Sequence, residues 1–222
     1  TLPAHVSLFT GTNPSRHGVR GNFRYFHIPV PSDGRMRLAA QMFGRLGYQT
    51  AAFVSSPAVA AETGLGAGFE IYREAPSGEL ANAETTVDRV LDWLPEGEHR
   101  PFFLFVHLVD PHSPYEPPEP HRSALRADGV LNRFLQERAI ANWRTRIGVN
   151  EAYDGEIRYT DEHVGRLLDA IRKRGLYERA AIVLTADHGE GLGQHGWLYH
   201  TRVYEEQLAV PLIVRLPGQA PR

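Results

Sequence analysis

Short apolar runs alternate with amphipathic stretches along this chain, and the alternation predicts an α/β fold, a mostly parallel sheet with helices on both faces. Residues 4–10 read as a short helix opening directly behind Thr1-Leu2-Pro3, with Gly11 past its end. Residues 36–46 form an amphipathic helix stopped by Gly47, and 50–54 follow as a short buried strand. Over 83–94, Val87, Val90, Leu91 and Leu94 share one helical face, and Pro95 ends the run. Residues 102–107 are a strongly apolar strand leading to Asp110-Pro111-His112, and four prolines within 113–121 make the next stretch a loop. Residues 130–146 are helical but weakly amphipathic. The longest helix covers 153–174, with Ile157, Asp161, Val164, Leu168 and Ile171 at helical spacing and Gly175 as its stop. A buried strand starting at Ile182 ends in Asp187-His188-Gly189, and the last strand, 211–216, is closed by Pro217-Gly218. The loosest composition, 55–80, receives no assignment.

Composition narrows the function classes. With 222 residues, 42% of them hydrophobic, the chain is long enough for one sizeable domain with its own core. A net charge of -2 leaves no basic surplus to neutralise phosphates, which argues against nucleic acid as the partner. No apolar run approaches the roughly 18 residues of a membrane span, and no signal peptide is evident. The compartment stays open, periplasmic and membrane-anchored parents included. The absence of cysteine excludes disulfides, thiolate metal sites and a cysteine nucleophile. The chain begins at Thr1 without Met and reads as a piece of a longer protein.

The strongest chemical signal is the abrupt end of an apolar strand in a carboxylate, an imidazole and a glycine. Such a strand delivers residues to the carboxyl edge of a parallel sheet. There Asp187 and a neutral His188 are ordinary ligands for a divalent cation, and Gly189 lets the backbone turn away. The alternative is a capping Asp with an exposed His. Two ligands do not close a site, since zinc takes about four and calcium roughly six to eight.

Thr1 places a hydroxyl at a helix N-terminus, where free N–H groups and the dipole favour an anion. A bound dication would activate that hydroxyl for attack on phosphorus or sulfur. The competing reading is an N-cap. His112 follows a strand and suits contact with an anionic ester or protonation of a leaving group; alternatively it is a loop His bonded to a backbone carbonyl. His195, His200 and Arg202 lie in a Gly-rich turn, as anion contacts, a general acid or solvated side chains. Glu205-Glu206 read as a solvated face or a first-turn dipole match.

Taken together, these segments resemble the sulfatase branch of the alkaline phosphatase superfamily. TLPAHVSLFTGTNPSRHGV resembles that family's nucleophile motif, and FFLFVHLVDPHSPYEPP its central histidine motif. YDGEIRYTDEHVGRLLDAIRKRG resembles its long helix. VLTADHGEGLGQHG with HTRVYEEQLAVPLIVRLPG resembles its second metal motif and the strand after it. The resemblance implies Thr1 as nucleophile and metal ligand, Asp187 and His188 as a metal-ligand pair, and Asn22, His112 and His200 as contacts to the substrate anion. It implies a divalent metal, with Ca2+ the expected ion and Zn2+ or Mn2+ as alternatives, and a small anionic ester as substrate. Family members carry two further acidic ligands on a strand upstream of the nucleophile, so the chain is expected to be a partial catalytic domain, lacking that strand and a C-terminal part, and inactive alone.

Three departures shape the expected activity. Thr cannot be converted to the formylglycine of true sulfatases. His5 replaces the motif Arg, and Ser55-Ser56-Pro57 stand where typical sulfatases have Gly-Lys-x-His. The expectation is therefore a metal-dependent hydrolase of sulfate or phosphate esters with a covalent intermediate on Thr1. The alternatives are a phosphodiesterase or head-group phosphotransferase, or an inactive sulfatase-like domain. An N-terminal nucleophile whose own amine is the base is a further rival, disfavoured by the βα alternation.

Overall fold

The computed structural model describes residues 1–22, 36–76, 78–97, 99–124, 143–197 and 199–218. They divide into two compact units: Thr1–Val109 with Ala170–Leu176, and Asp110–Asp169 with Tyr177–Arg222.

The first unit contains α1 (Leu2–Thr10), α2 (Pro14–His17), α3 (Ala39–Arg45), β1 (Gln49–Val54), β2 (Ile71–Glu74), α4 (Ala83–Trp93) and β3 (Phe102–His107). Its sheet is parallel, in the order β2-β1-β3, with Ala51 opposite Ile71 and Leu104. The expected helices on both faces are present here. Alternation along a strand sends Thr50, Ala52, Val54, Phe103 and Phe105 to one face. There Phe9 of α1 meets Phe105 edge-on at 4.8 Å and Phe43 of α3 stacks on Phe103 at 4.6 Å between ring centroids. On the other face Trp93 of α4 packs against Phe53 and Phe102. Leu2, Val6, Phe9, Leu38, Val54, Val59 and Leu65 form the core, each buried side chain contributing on the order of 1.5–3 kcal/mol. Strand β2 falls in the stretch left unassigned from sequence. It has only two apolar residues and sits half-exposed at the sheet edge, so its pattern carries no strong signal.

The second unit contains α5 (His121–Ala124), most of α6 (Trp143–Lys173), β4 (Ile182–Thr185), α7 (Glu205–Leu208) and β5 (Leu212–Arg215). The expected helix over 130–146 is met only by the start of α6; residues 130–142 lie outside the described residues. The face of α6 that is buried also differs from the expected apolar stripe. Ile157 and Asp161 are exposed, whereas Gly155, Glu156, Tyr159 and His163 are buried. A proline-rich loop covers this polar face, so hydropathy pointed to the wrong side.

Strands β4 and β5 pair antiparallel, with Ile182 opposite Arg215. Arg215 fixes that sense. Its guanidinium donates to the carbonyls of Tyr177 at 2.6 Å and Ala180 at 3.1 Å and to Glu178 Oε2 at 2.6 Å, pinning the end of β5 beside the start of β4. The expectation of a buried β4 is not met among the described residues: Val183 is 60% exposed and Ile213 61%. A two-stranded sheet alone covers neither of its faces. No helix among the described residues is long and apolar enough to cross a membrane.

Candidate functional site

In the first unit Thr1 occupies the N-cap position of α1, but its hydroxyl makes no capping hydrogen bond. The cap comes from Asn22, whose Oδ1 accepts the Leu2 N–H at 2.6 Å. The N-cap reading of Thr1 thus holds for its position and not for its hydroxyl, and Asn22 gains a role in holding the turn that carries it. His5 is buried; its Nδ1–H donates to the Thr1 carbonyl at 2.9 Å, and its ring lies 5.1 Å from that of His107. His107 in turn shares a 3.0 Å hydrogen bond with Ser55 Oγ. Where the family motif has Arg and Lys, this unit therefore holds imidazoles and a hydroxyl. His107 was not singled out from sequence, because it reads as the last residue of an apolar strand.

In the second unit the segment after β4 brings Asp187, His188 and Glu190 to one end of the strand. Gly189 is needed there for closeness rather than for a turn. Its φ is not positive, and its N–H donates to the Gln207 carbonyl at 2.9 Å; a Cβ would collide with the carbonyl of Glu206. Helix α7 is thereby seated on the Asp187-His188-Gly189 segment, and buried Gln207 accepts the Arg202 N–H at 2.8 Å.

Three imidazoles gather in this unit. His188 and His200 stack with ring centroids 4.1 Å apart, and His112 lies 4.9 Å from His200 and 6.4 Å from His188. Each has its Nδ1–H engaged by an acceptor: the Gly189 carbonyl at 3.0 Å for His188, the Ser113 carbonyl at 2.7 Å for His112, and Glu190 Oε1 at 2.7 Å for His200. That fixes the tautomers, so Nε2 is the nitrogen left for an ion or an ester oxygen. The backbone-bonded reading of His112 is thus correct for Nδ1 and leaves Nε2 available for chemistry.

Asp187 Oδ2 lies 3.6 Å from His188 Nε2, a spacing at which two ligands can share one cation. Burial holds the His188 imidazole below its ordinary value, against the pull of the Asp187 carboxylate, and a neutral imidazole is the form that ligates. A carboxylate and an imidazole so placed fit a divalent cation.

A nitrogen or oxygen from each of His112, Glu190 and His200 also falls within 4.8 Å of the others, close enough to grip a cation or to surround an ester oxygen. Glu190 is 7% exposed, and its charge, after burial, pushes the Tyr115 hydroxyl well above its usual range and raises that of Tyr153. Sequence reasoning gave Glu190 no role. The only signal was a carboxylate in a Gly-rich turn with no helix dipole to serve.

The other candidates have structural partners. His195 Nδ1 bonds Glu206 Oε1 at 2.9 Å, and its ring stacks on Tyr204 at 4.1 Å; that hydrogen bond holds the Glu206 carboxyl below its usual value. Arg202 lies 4.6 Å over the Trp197 ring. Glu205 and Glu206 occupy the first turn of α7, where the dipole favours them.

The chain matches the Sulfatase family over residues 1–222. It is 26% identical to an arylsulfatase of Clostridium perfringens over 136 residues, 54% of this chain and 28% of that protein. An N-acetylglucosamine-6-O-sulfatase of Bacteroides thetaiotaomicron is 36% identical over 83 residues, 37% of this chain and 15% of that protein. Among solved structures, the phosphonate monoester hydrolase of Agrobacterium radiobacter superposes with a TM-score of 0.75 at 21% identity, over 98% of this chain and 58% of that one. The chain thus spans less than a third of those curated relatives and just over half of the solved one. A match running its whole length places the chain in the sulfatase family of the alkaline phosphatase superfamily.

Proposed function

We propose that the full-length protein is a metal-dependent hydrolase of sulfate or phosphate esters, working through a covalent intermediate on Thr1. The observation that carries this reading is the set of three imidazoles with Nδ1 tied and Nε2 left over, beside the Asp187 carboxylate. Asp187, His188 and Thr1 would hold the ion, which supplies charge neutralisation and a lowered hydroxyl pKa when bound. The Thr1 hydroxyl attacks the central phosphorus or sulfur, and the ester oxygen leaves. His112 and His200 hydrogen-bond the anionic oxygens or protonate the leaving oxygen, and Asn22 keeps the Thr1 turn in place while also contacting the anion. Water then cleaves the Thr1 ester and regenerates the hydroxyl.

The ion needs further ligands beyond these three. Ca2+ fits if those ligands are carboxylates; a set richer in imidazole favours Zn2+ or Mn2+. Calorimetric titration of the full-length protein with each ion tests the reading. Binding of one of them, weakened by Asp187→Ala, supports it, and no binding of any divalent ion removes it.

A second reading, a phosphodiesterase or head-group phosphotransferase, is favoured by two features. Thr1 cannot become formylglycine, and Ser55-Ser56-Pro57 carry no cation for a sulfate. Paired aryl sulfate, phosphate monoester and phosphodiester substrates separate the two; a dominant sulfatase rate with Thr1 unmodified contradicts the Thr1 mechanism.

A further inference from the structure

Among the described residues, the buried polar face of α6 is covered by the loop that carries His112 and by His121 at the start of α5. Tyr115 meets Tyr153 edge-on at 5.6 Å, and His121 meets Tyr159 at 5.5 Å and Glu162 at 3.3 Å. Between these contacts the two backbones close up, since a Cβ on Gly155 would lie 2.7 Å from Pro117 Cγ. At the centre sits Glu156, only 4% exposed, whose Oε1 accepts the Glu116 N–H at 2.8 Å. Its other oxygen, Oε2, is buried and faces the carboxyl of Asp110. Two carboxyl oxygens that face each other can bond only through a proton. Burial first, and then the Asp110 charge, push Glu156 up to about 7.

We propose that Glu156 is the positioning residue of the His112 loop: one carboxyl bonds Asp110, two residues before His112, and the Glu116 amide, four residues after it. The chain is thereby tied to α6 on both sides of His112. Glu156 touches no substrate in this account and acts through His112. The functional part of the proposal rests on the ester-hydrolase reading above; the structural part does not.

The geometry makes a specific demand on residue 156. A neutral acceptor that also donates one hydrogen bond fits, so Glu156→Gln keeps both contacts, whereas Glu156→Asp is too short and Glu156→Ala has neither. Hydrogen–deuterium exchange of the full-length protein reads this without any assay of activity. The Glu116 amide should remain protected in Glu156→Gln and exchange at least about tenfold faster in Glu156→Ala and Glu156→Asp. In steady-state assays, the Ala and Asp variants should lose about tenfold or more in kcat with a smaller change in KM, and Gln should stay within about threefold of wild type. Circular dichroism confirms that each variant is folded. Asp110→Asn provides a second, milder test, because an amide in that place still donates to Glu156; it should behave like wild type in exchange.

Equal protection of Glu116 in all variants overturns the proposal, and so does a Gln variant as exposed as Ala. If exchange behaves as stated but no variant hydrolyses any ester, wild type included, the function reading fails and the clamp stands. If exchange behaves as stated and the wild-type rate is unchanged in Glu156→Ala, the clamp exists but does not position His112, and the proposal fails.

Discussion

Nδ1 of His200 lies 2.7 Å from Oε1 of Glu190, a carboxylate buried to 7% exposure. A buried carboxylate on one ring nitrogen orients the imidazole and holds the proton on that nitrogen, so Nε2 always faces the same way. Stacking on His188 at 4.1 Å adds a second restraint on the ring plane. The His200 side chain is thereby held by two neighbours before any substrate arrives, as preorganised electrostatic catalysis requires.

Glu190→Ala should therefore weaken turnover by about 10- to 100-fold, the rate equivalent of about 1.5–3 kcal/mol for a hydrogen bond to a charged group. Glu190→Gln retains an acceptor oxygen and should cost less. Comparison of kcat for the two variants in the full-length protein checks this. Equal losses would mean that the carboxylate charge, rather than the orientation of His200, is what matters.

Asn22 caps α1 by accepting the Leu2 N–H at 2.6 Å. Asn22→Ala should lower stability by about 1 kcal/mol, a melting shift of roughly 2–4 °C in a chain of this size. Asn22→Asp keeps an acceptor at the positive end of the helix and should melt close to wild type. Thermal denaturation of the three proteins decides it.

Glu156 makes a pH prediction whose sign follows from its raised value, about 7 against an ordinary 4.5. The folded state holds the proton more tightly than the unfolded state. The contribution of this group to stability is complete below pH 4.5, declines as pH rises, and is lost once pH passes through 7. Wild type should thus lose stability relative to Glu156→Gln between pH 5 and pH 8, by on the order of 1–3 kcal/mol. Urea denaturation at several pH values measures the difference. Parallel curves for the two proteins contradict a shared proton.

The helices on either side of β1 and the strand leading to Asp187 were legible because hydrophobic periodicity is a strong signal where one face is apolar. The polar face of α6 was not. Glu156 and His163 are buried against hydrogen-bonding partners, and pattern alone cannot distinguish a satisfied buried acid from a solvated one. Strand β2, with Arg73 and Glu74 in its second half, fails for a related reason: an edge strand needs no apolar pattern. Among the site residues, Asp187 and His188 announced themselves by following an apolar run directly. Glu190 did not, since its role depends on His200 ten residues away, brought near by the close seating of Gly189 on α7. The role of Gly189 was anticipated as a turn and found to be a close approach.

The central claim is that the Thr1 hydroxyl makes and breaks the ester bond with the help of an ion held by Asp187 and His188. The most direct measurement is mass spectrometry of the Thr1 peptide after rapid quenching of the full-length protein with its fastest substrate, alongside turnover of Thr1→Ala. The account predicts a sulfuryl or phosphoryl group on Thr1 in the quenched enzyme, and turnover reduced by about a thousandfold or more in Thr1→Ala. Undiminished turnover in Thr1→Ala, with no group on the Thr1 peptide, would contradict it.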